Sequence, residues 1–276
     1  MEAELINRLS STFYVMLPRE HGAWAMFAAP LLIGIGVAEK LSGGILLFAI
    51  VAAGFFLLRY PLMLAIKSRS PQVRADALRW SVIYGALTIV SSIVLLAVTQ
   101  LWLLIPLGMM GISSLAIYLW LASRREEMTT LGEWIGIAGL ALGAPGAYLI
   151  GNGSLDATAL QLYALNLLYF GGTVSYVKFK VREQPKAVAL SADLKSRLWA
   201  GRVTLVYHAM VIAIIGILIL QSWLPAFILI AFALPFCKVL SGVIARPMRL
   251  NIPKLGMIEM VFTVVFALVV LMAYYH

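Results

Sequence analysis

Nine apolar runs, separated by short polar breaks, most constrain what this chain of 276 residues can fold into. A helix that crosses a bilayer needs about 20 mostly apolar residues. Only 12% of the residues are charged and 62% are hydrophobic, whereas a soluble domain has about 25% charged residues. The pattern excludes a water-soluble globular protein and predicts an all-α, polytopic membrane bundle with nine transmembrane helices. The runs lie at about 22–38, 44–66, 79–98, 101–122, 131–151, 157–177, 202–220, 223–243 and 255–275.

The breaks between the runs are too short to hold a soluble domain, so we expect one transmembrane domain over residues 1–276. Residues 1–18 form a weakly amphipathic N-terminal segment, and its apolar side chains suit a helix lying on the membrane surface. Any chemistry must therefore take place inside the bundle or at its rim.

Basic residues predict the orientation of the bundle, because cytoplasmic loops retain Lys and Arg. If the N-terminus is cytoplasmic and nine helices alternate, every one of the 21 Lys and Arg residues except Lys40 lies on the cytoplasmic side. We therefore expect the N-terminus inside and His276 outside. The net charge of +9 requires no nucleic acid, since a basic face beside anionic membrane lipid explains it.

Ionisable residues within the apolar runs are candidates for function, because a charge in hydrocarbon costs several kcal/mol unless it is paired or hydrated. All of the candidates fall in the predicted inner half of the membrane, which favours one polar cavity open to the cytoplasm. Simpler roles compete with this one, since Arg59 and Lys238 could extend to the headgroups and His208 could be a packing residue. The candidates are Glu20, His21, Arg59, Glu133, His208, Lys238 and Glu259.

The fifth run is rich in glycine and carries Pro145 near its end. Small residues at three- and four-residue spacing let neighbouring helices approach closely, so we expect tight packing here. Pro145 frees a backbone carbonyl one turn earlier, where a kink could form. The glycines are Gly132, Gly136, Gly139, Gly143 and Gly146.

The segment 18–26, Pro-Arg-Glu-His-Gly-Ala-Trp-Ala-Met, resembles the opening of the YwiC-like family of bacterial integral membrane proteins. The resemblance extends to Gly132-Glu133, Ala144-Pro145, the edge from Val177 to Arg182, and the stretch from Leu255 to Glu259. It implies location in the bacterial cytoplasmic (inner) membrane, and it implies no particular reaction.

A weaker resemblance connects the chain with UbiA-type prenyltransferases, which also have nine helices, an inside N-terminus and active loops after the second and sixth helices. Pro30-Leu31-Leu32-Ile33-Gly34 is similar to a stretch of their first helix. Those enzymes hold Mg²⁺ with two Asp-rich motifs. The matching loops here contain only the isolated acids Asp76, Glu183 and Asp193, together with several cations. The resemblance therefore does not imply metal-assisted ionisation of a diphosphate.

Three functional hypotheses remain. The first is a UbiA-like transferase without the Asp-rich motifs, acting on an isoprenoid or another anionic amphiphile; a divalent cation is compatible with it and not required. The second is a secondary transporter, and the third is a non-catalytic assembly or lipid-binding protein. For the first, the candidate catalytic residues are Glu20, His21, Glu133 and Glu259, and the candidate substrate-binding residues are Arg19, Arg59, Lys67, Arg69, Lys178, Arg182 and His208.

Overall fold

A computed structural model describes residues 15–18, 21–189, 193–245 and 251–275, and these ranges contain helices and no strand. A π-helical segment, Phe179–Glu183, joins the seventh helix to the eighth. The helices are α1 (His21–Val37), α2 (Gly43–Lys67), α3 (Pro71–Thr99), α4 (Leu104–Ser123), α5 (Thr130–Ala141), α6 (Gly143–Asn152), α7 (Ala157–Lys178), α8 (Gln184–Ala189), α9 (Leu194–Leu220), α10 (Ile228–Ile244) and α11 (Ile252–Tyr275).

Every predicted apolar run contains helix in the structure, and the described ranges hold no strand, so the all-helical prediction is confirmed. Within the described ranges, six segments are long and apolar enough to cross a membrane: α2, α3, α4, α5 together with α6, α9, and α11. Two shorter apolar helices, α1 and α10, accompany them. The chain is therefore a multi-pass membrane-type protein, while nine spans and a cytoplasmic N-terminus stay predictions.

The fifth run is divided into two helices, and Pro145 explains the division. Proline has no N–H, and its ring clashes with the carbonyl four residues earlier, which belongs to Ala141. α5 ends at that residue, and α6 begins at Gly143. The kink expected from the sequence is thus present as a break at Leu142.

Two helices begin well before their apolar runs, at polar caps that hydropathy does not register. Ser70 accepts a hydrogen bond from the Val73 N–H at the start of α3, and Asp193 accepts one from the Ser196 N–H at the start of α9. Such caps satisfy backbone donors that the first helical turn leaves unpaired. Hydropathy therefore locates the apolar part of α3 and α9, whereas the polar caps show where these two helices begin.

Helix α1 is central and packs against α5, α6, α7 and α11. Ile33 of α1 is fully buried in the main apolar core. The next residue, Gly34, lies directly against the backbone carbonyl of Ala144 in α6, so the two helices approach closely because no side chain separates them. Around this centre, α2 and α3 form an antiparallel pair on one side, and α9, α10 and α11 pack on the other.

Gly34→Ala should destabilise the bundle, because the added methyl group would meet the Ala144 backbone, which cannot rotate away. We expect a loss of about 1–3 kcal/mol in the free energy of unfolding, the usual cost of overpacking. Gly216→Ala in α9 is the matched control, since a Cβ there meets no atom within 4 Å. Unfolding in detergent micelles measures both variants. Equal stability would contradict the close contact between α1 and α6.

Candidate functional site

The first six helices enclose a cavity of about 350 Å³ with mainly apolar walls. Phe27 and Leu31 of α1, Phe48 and Phe56 of α2, and Leu95 of α3 contribute to those walls. On α4 the lining extends from Leu104 to Tyr118, a distance of about 21 Å at 1.5 Å per residue. The cavity is therefore long and narrow, with the dimensions of an extended apolar molecule.

Glycines of α4, α5 and α6 provide much of the space. Six of them line the cavity: Gly108, Gly111, Gly136, Gly139, Gly143 and Gly146. Some allow the close packing expected from the sequence, since a Cβ at Gly139 would strike the Ser114 hydroxyl and one at Gly146 would strike the Phe48 ring. Gly108 differs, because a Cβ there meets no atom within 4 Å. Glycine in this bundle therefore serves both helix packing and the cavity.

Of the described residues that line the cavity, Arg59 is the charged one. Its guanidinium carbon lies 4.7 Å from the centre of the Tyr118 ring, within the range of a cation–π interaction. The Tyr118 hydroxyl in turn donates toward Met63 Sδ at 3.8 Å. Arg59 precedes Lys67, the last residue of α2, by eight residues, or about 12 Å of helix. A cation thus stands at one end of an apolar cavity, well inside the bundle.

Two further candidates, Lys67 and Lys178, are each paired with a carboxylate. Lys67 forms an ion pair with Glu127, which lies in the turn between α4 and α5. Lys178, at the end of α7, forms one with Glu133 in the first turn of α5. The first pair connects the end of α2 to the turn before α5. The second pair connects the end of α7 to the first turn of α5. An anion could bind either lysine only in competition with its carboxylate partner.

Glu127 lies outside the membrane-spanning helices and ionises more readily than an ordinary glutamate. Burial alone would raise its pKa, but the hydrogen bond from Lys67 and the positive charge of that residue outweigh burial. The pKa of Glu127 is therefore lowered, and its carboxylate stays ionised at neutral pH.

A buried ion pair between Lys238 of α10 and Glu259 of α11 forms a second polar centre. Lys238 Nζ lies 2.7 Å from both carboxylate oxygens of Glu259, and both side chains are at least nine-tenths buried. The Lys238 amine also lies 4.9 Å from the centre of the Tyr176 ring and 4.6 Å from that of Phe262. Lys238 therefore neutralises Glu259 inside the bundle and does not extend to the headgroups.

His208 of α9 is buried, and its Nδ1 lies 2.8 Å from the Thr204 carbonyl oxygen. Its ring contacts Tyr207 edge to face, with ring centres 5.6 Å apart. A neutral histidine that donates Nδ1–H to a carbonyl one turn earlier satisfies a buried polar group in the ordinary way. This arrangement agrees with the packing role that the sequence left open.

Among the described residues, one sequence candidate, Arg59, lines this cavity, and the single polar cavity that would gather all of the candidates stays a prediction. Glu133 and Glu259 are each neutralised by a lysine of a neighbouring helix and therefore need no hydrated cavity. Arg69 and Arg182 are exposed at the basic helix ends. Arg19 and Glu20 lie outside the described residues, and His21 begins α1.

Sequence reasoning missed Tyr118 and Glu127, and it did not pair Lys238 with Glu259. Glu127 follows Arg124 and Arg125, in a stretch that reads as an ordinary solvated turn. Tyr118 lies in an apolar run with no distinguishing neighbour. Within the described ranges, no three His, Cys, Asp or Glu side chains come together as a metal site would require. Glu133 and Glu259, two of the carboxylates considered for that role, are held by lysines.

Comparison with known proteins confirms the resemblance found in segment 18–26. The YwiC-like protein family model matches residues 17–148. The uncharacterized protein YwiC of Bacillus subtilis (strain 168) is 28% identical over 169 residues, which cover 61% of this chain and 68% of that protein. An uncharacterized protein of Haemophilus influenzae is 24% identical over 260 residues, covering 94% of this chain and 98% of its own. No solved structure matches the chain significantly.

Removing one member of the Lys238–Glu259 pair should be far more harmful than removing both. Lys238→Met or Glu259→Leu alone leaves a buried charge without its partner, which typically costs about 3–5 kcal/mol. The double variant should recover most of that loss, since apolar replacements of buried pairs are often neutral or stabilising. Unfolding of the four proteins in detergent gives the coupling energy.

The exposed pair Lys186–Glu183 is the control for that measurement, because both of its side chains are largely solvent-accessible. Lys186→Gln should change stability by less than about 1 kcal/mol. Additive losses at Lys238 and Glu259 would show that the two side chains do not form a buried pair.

Proposed function

We propose that this multi-pass membrane-type protein, which matches the YwiC-like family model over residues 17–148, binds an anionic amphiphile in the cavity of its first six helices. The tail occupies the apolar length of the cavity. The carboxylate or phosphate headgroup lies at Arg59. The protein acts in the bacterial cytoplasmic membrane, where such molecules are dissolved.

The position of Arg59 is the observation that carries the proposal. An arginine at this depth costs several kcal/mol unless the surroundings compensate for it, and its plane is held against the Tyr118 ring. Guanidinium presents a fork of N–H donors that matches a carboxylate or phosphate. A single cation at the end of an apolar cavity is complementary to a molecule with one anionic end and one long apolar tail.

The location of the cavity in the chain supports a role shared with YwiC-like proteins. Its lining begins at Phe27 and ends at Gly146, so all of it falls inside the matched segment 17–148. The Lys238–Glu259 pair lies outside that segment. We therefore assign ligand binding to the matched segment and helix anchoring to the buried pair.

Binding is a better account of this geometry than prenyl transfer. A UbiA-like reaction needs carboxylates beside the diphosphate to hold Mg²⁺, whereas the described residues of the cavity wall include Arg59 and no acid. Glu133 and Glu259 each pair with a lysine. The acid–base chemistry considered for them would first require those pairs to open.

Transport of the amphiphile is the second candidate, and the break at Leu142 favours it. Interrupted helices recur at the binding sites of secondary transporters, and both Leu142 and Gly143 line the cavity. A transporter would move the bound molecule between leaflets of a vesicle, whereas a binding protein would only retain it.

Arg59→Gln should weaken binding of hexadecanoic acid and of hexadecyl phosphate to the protein in phosphatidylcholine nanodiscs. The expected loss is about 1.5–3 kcal/mol, the value of a hydrogen bond to a charged group. Arg79→Gln is the matched control, because Arg79 is exposed on α3 and does not line the cavity. Equal affinity of the two variants for both probes would contradict a headgroup site at Arg59.

Gly108→Leu should reduce the affinity for both probes by filling the cavity without disturbing helix packing, since a side chain there enters open space. Gly85→Leu is its control, because Gly85 of α3 also has open space and lies outside the cavity. Both variants should unfold at nearly the temperature of the native protein. Undiminished binding by a folded Gly108→Leu protein would show that the tail lies elsewhere.

A further inference from the structure

We infer that the outer surface of α9 binds one anionic phospholipid, with the lipid phosphate at Arg202 and the rest of the headgroup beside Lys195. This site is separate from the cavity and does not depend on what the cavity holds. It follows from the length of α9, from the order of side chains along one face of the helix, and from the charges on that face.

Helix α9 is longer than the hydrocarbon core is thick. Its 27 residues rise about 40 Å, whereas the core measures about 30 Å. The polar turn Gln221-Ser222 follows the helix and marks one boundary of the core. About 20 residues before that turn, the other boundary falls near Gly201. Trp199 and Arg202 therefore lie at the boundary, and Lys195 lies about 9 Å beyond it, among the headgroups.

One face of α9 points out of the bundle on the hydrocarbon side of this boundary. The buried residues of α9, such as Thr204 and His208, lie on the opposite side of the helix. Each apolar residue of the outer face is more than half exposed, and a spacing of three and four residues places them in one stripe. The stripe consists of Trp199, Val203, Val206 and Met210. An acyl chain of a lipid lies against such a stripe.

Two cations continue the stripe at its headgroup end. Lys195 precedes Trp199 by one turn, Arg202 follows it by nearly one turn, and both cations are exposed. Within the described ranges, neither cation has a carboxylate at ion-pair distance. The nearest acid in sequence, Asp193, accepts a hydrogen bond from the Ser196 N–H as the cap of α9. The positive charge of this face is thus complementary to a negatively charged lipid.

Trp199 holds the Arg202 side chain in one orientation. The guanidinium carbon lies 4.0 Å from the centre of the Trp199 ring, and Nη1 donates to the Trp199 carbonyl oxygen at 2.8 Å. The other N–H donors of the guanidinium form the planar fork that suits a phosphate. Because Trp is enriched where the membrane meets water, this pair lies at the depth of the phospholipid phosphates.

Lys195 determines which headgroup the site accepts. It stands seven residues from Arg202, about 10 Å farther from the hydrocarbon. A phosphatidylethanolamine or phosphatidylcholine headgroup would bring its own cation toward this lysine, and like charges repel. A phosphatidylglycerol headgroup carries only hydroxyl groups beyond its phosphate. The site therefore favours phospholipids of net negative charge.

The end of α4 offers a matched control, because it has the same contact between arginine and tryptophan without the excess charge. The guanidinium carbon of Arg124 lies 4.2 Å from the centre of the Trp120 ring. Arg124 and Arg125 are followed directly by Glu126 and Glu127, which cancel their charge. We therefore expect no preference for anionic lipid at this position.

Native mass spectrometry of the purified full chain tests the site, with phosphatidylglycerol and phosphatidylethanolamine of identical acyl chains as the probes. The native protein should bind phosphatidylglycerol about fivefold more tightly, the usual effect of one basic residue near an anionic headgroup. Lys195→Gln should abolish this preference. Arg202→Gln should weaken binding of both lipids, since both carry the phosphate, and Arg124→Gln should change neither.

Trp199→Leu provides a second test, because it removes the support of the guanidinium while leaving every charge in place. It should weaken binding of both lipids as Arg202→Gln does, whereas Trp120→Leu should not. All of these side chains lie on the surface, so the variants should unfold at nearly the temperature of the native protein.

Two results would overturn the inference. Equal binding of the two lipids by the native protein would contradict the selection by Lys195. Equal losses in Arg124→Gln and Arg202→Gln would show that any basic residue at the membrane surface has the same effect, and that α9 carries no particular site. Neither result bears on binding in the cavity.

Discussion

Hydrocarbon does not solvate charge, and this constraint accounts for most of the polar arrangement in the bundle. Three lysines of the bundle are each met by a carboxylate of another element: Lys67 by Glu127, Lys178 by Glu133, and Lys238 by Glu259. Arg59 lies against the Tyr118 ring, in the wall of the apolar cavity.

Glycine determines where the bundle is dense and where it is hollow. At Gly34 the absence of a side chain lets α1 touch the backbone of α6, which fixes the centre of the fold. At Gly108 the same absence leaves open space beside an apolar wall. The break at Leu142 lies between these two regions, so the close packing and the cavity share one interrupted segment.

Apolar runs were sufficient to predict the helices, because hydrocarbon requires long stretches of apolar residues and satisfied backbone groups. Pro145 was sufficient to predict the interruption. The pairing of charges was not predictable, since depth along a helix does not reveal which neighbour it faces. Lys238 could as well have reached the headgroups, and Glu259 could as well have lined a hydrated cavity. Both outcomes depend on how α10 and α11 are rotated about their own axes. That rotation cannot be inferred from a single sequence.

A cryo-electron microscopy map of the native protein in lipid nanodiscs loaded with hexadecanoic acid tests the central claim most directly. The account predicts one elongated density beside α4, with its bulkier end at the Arg59 guanidinium and its tail directed toward Leu104. A map without ligand density in this cavity, or with the ligand bound at the Lys238–Glu259 pair, would contradict it.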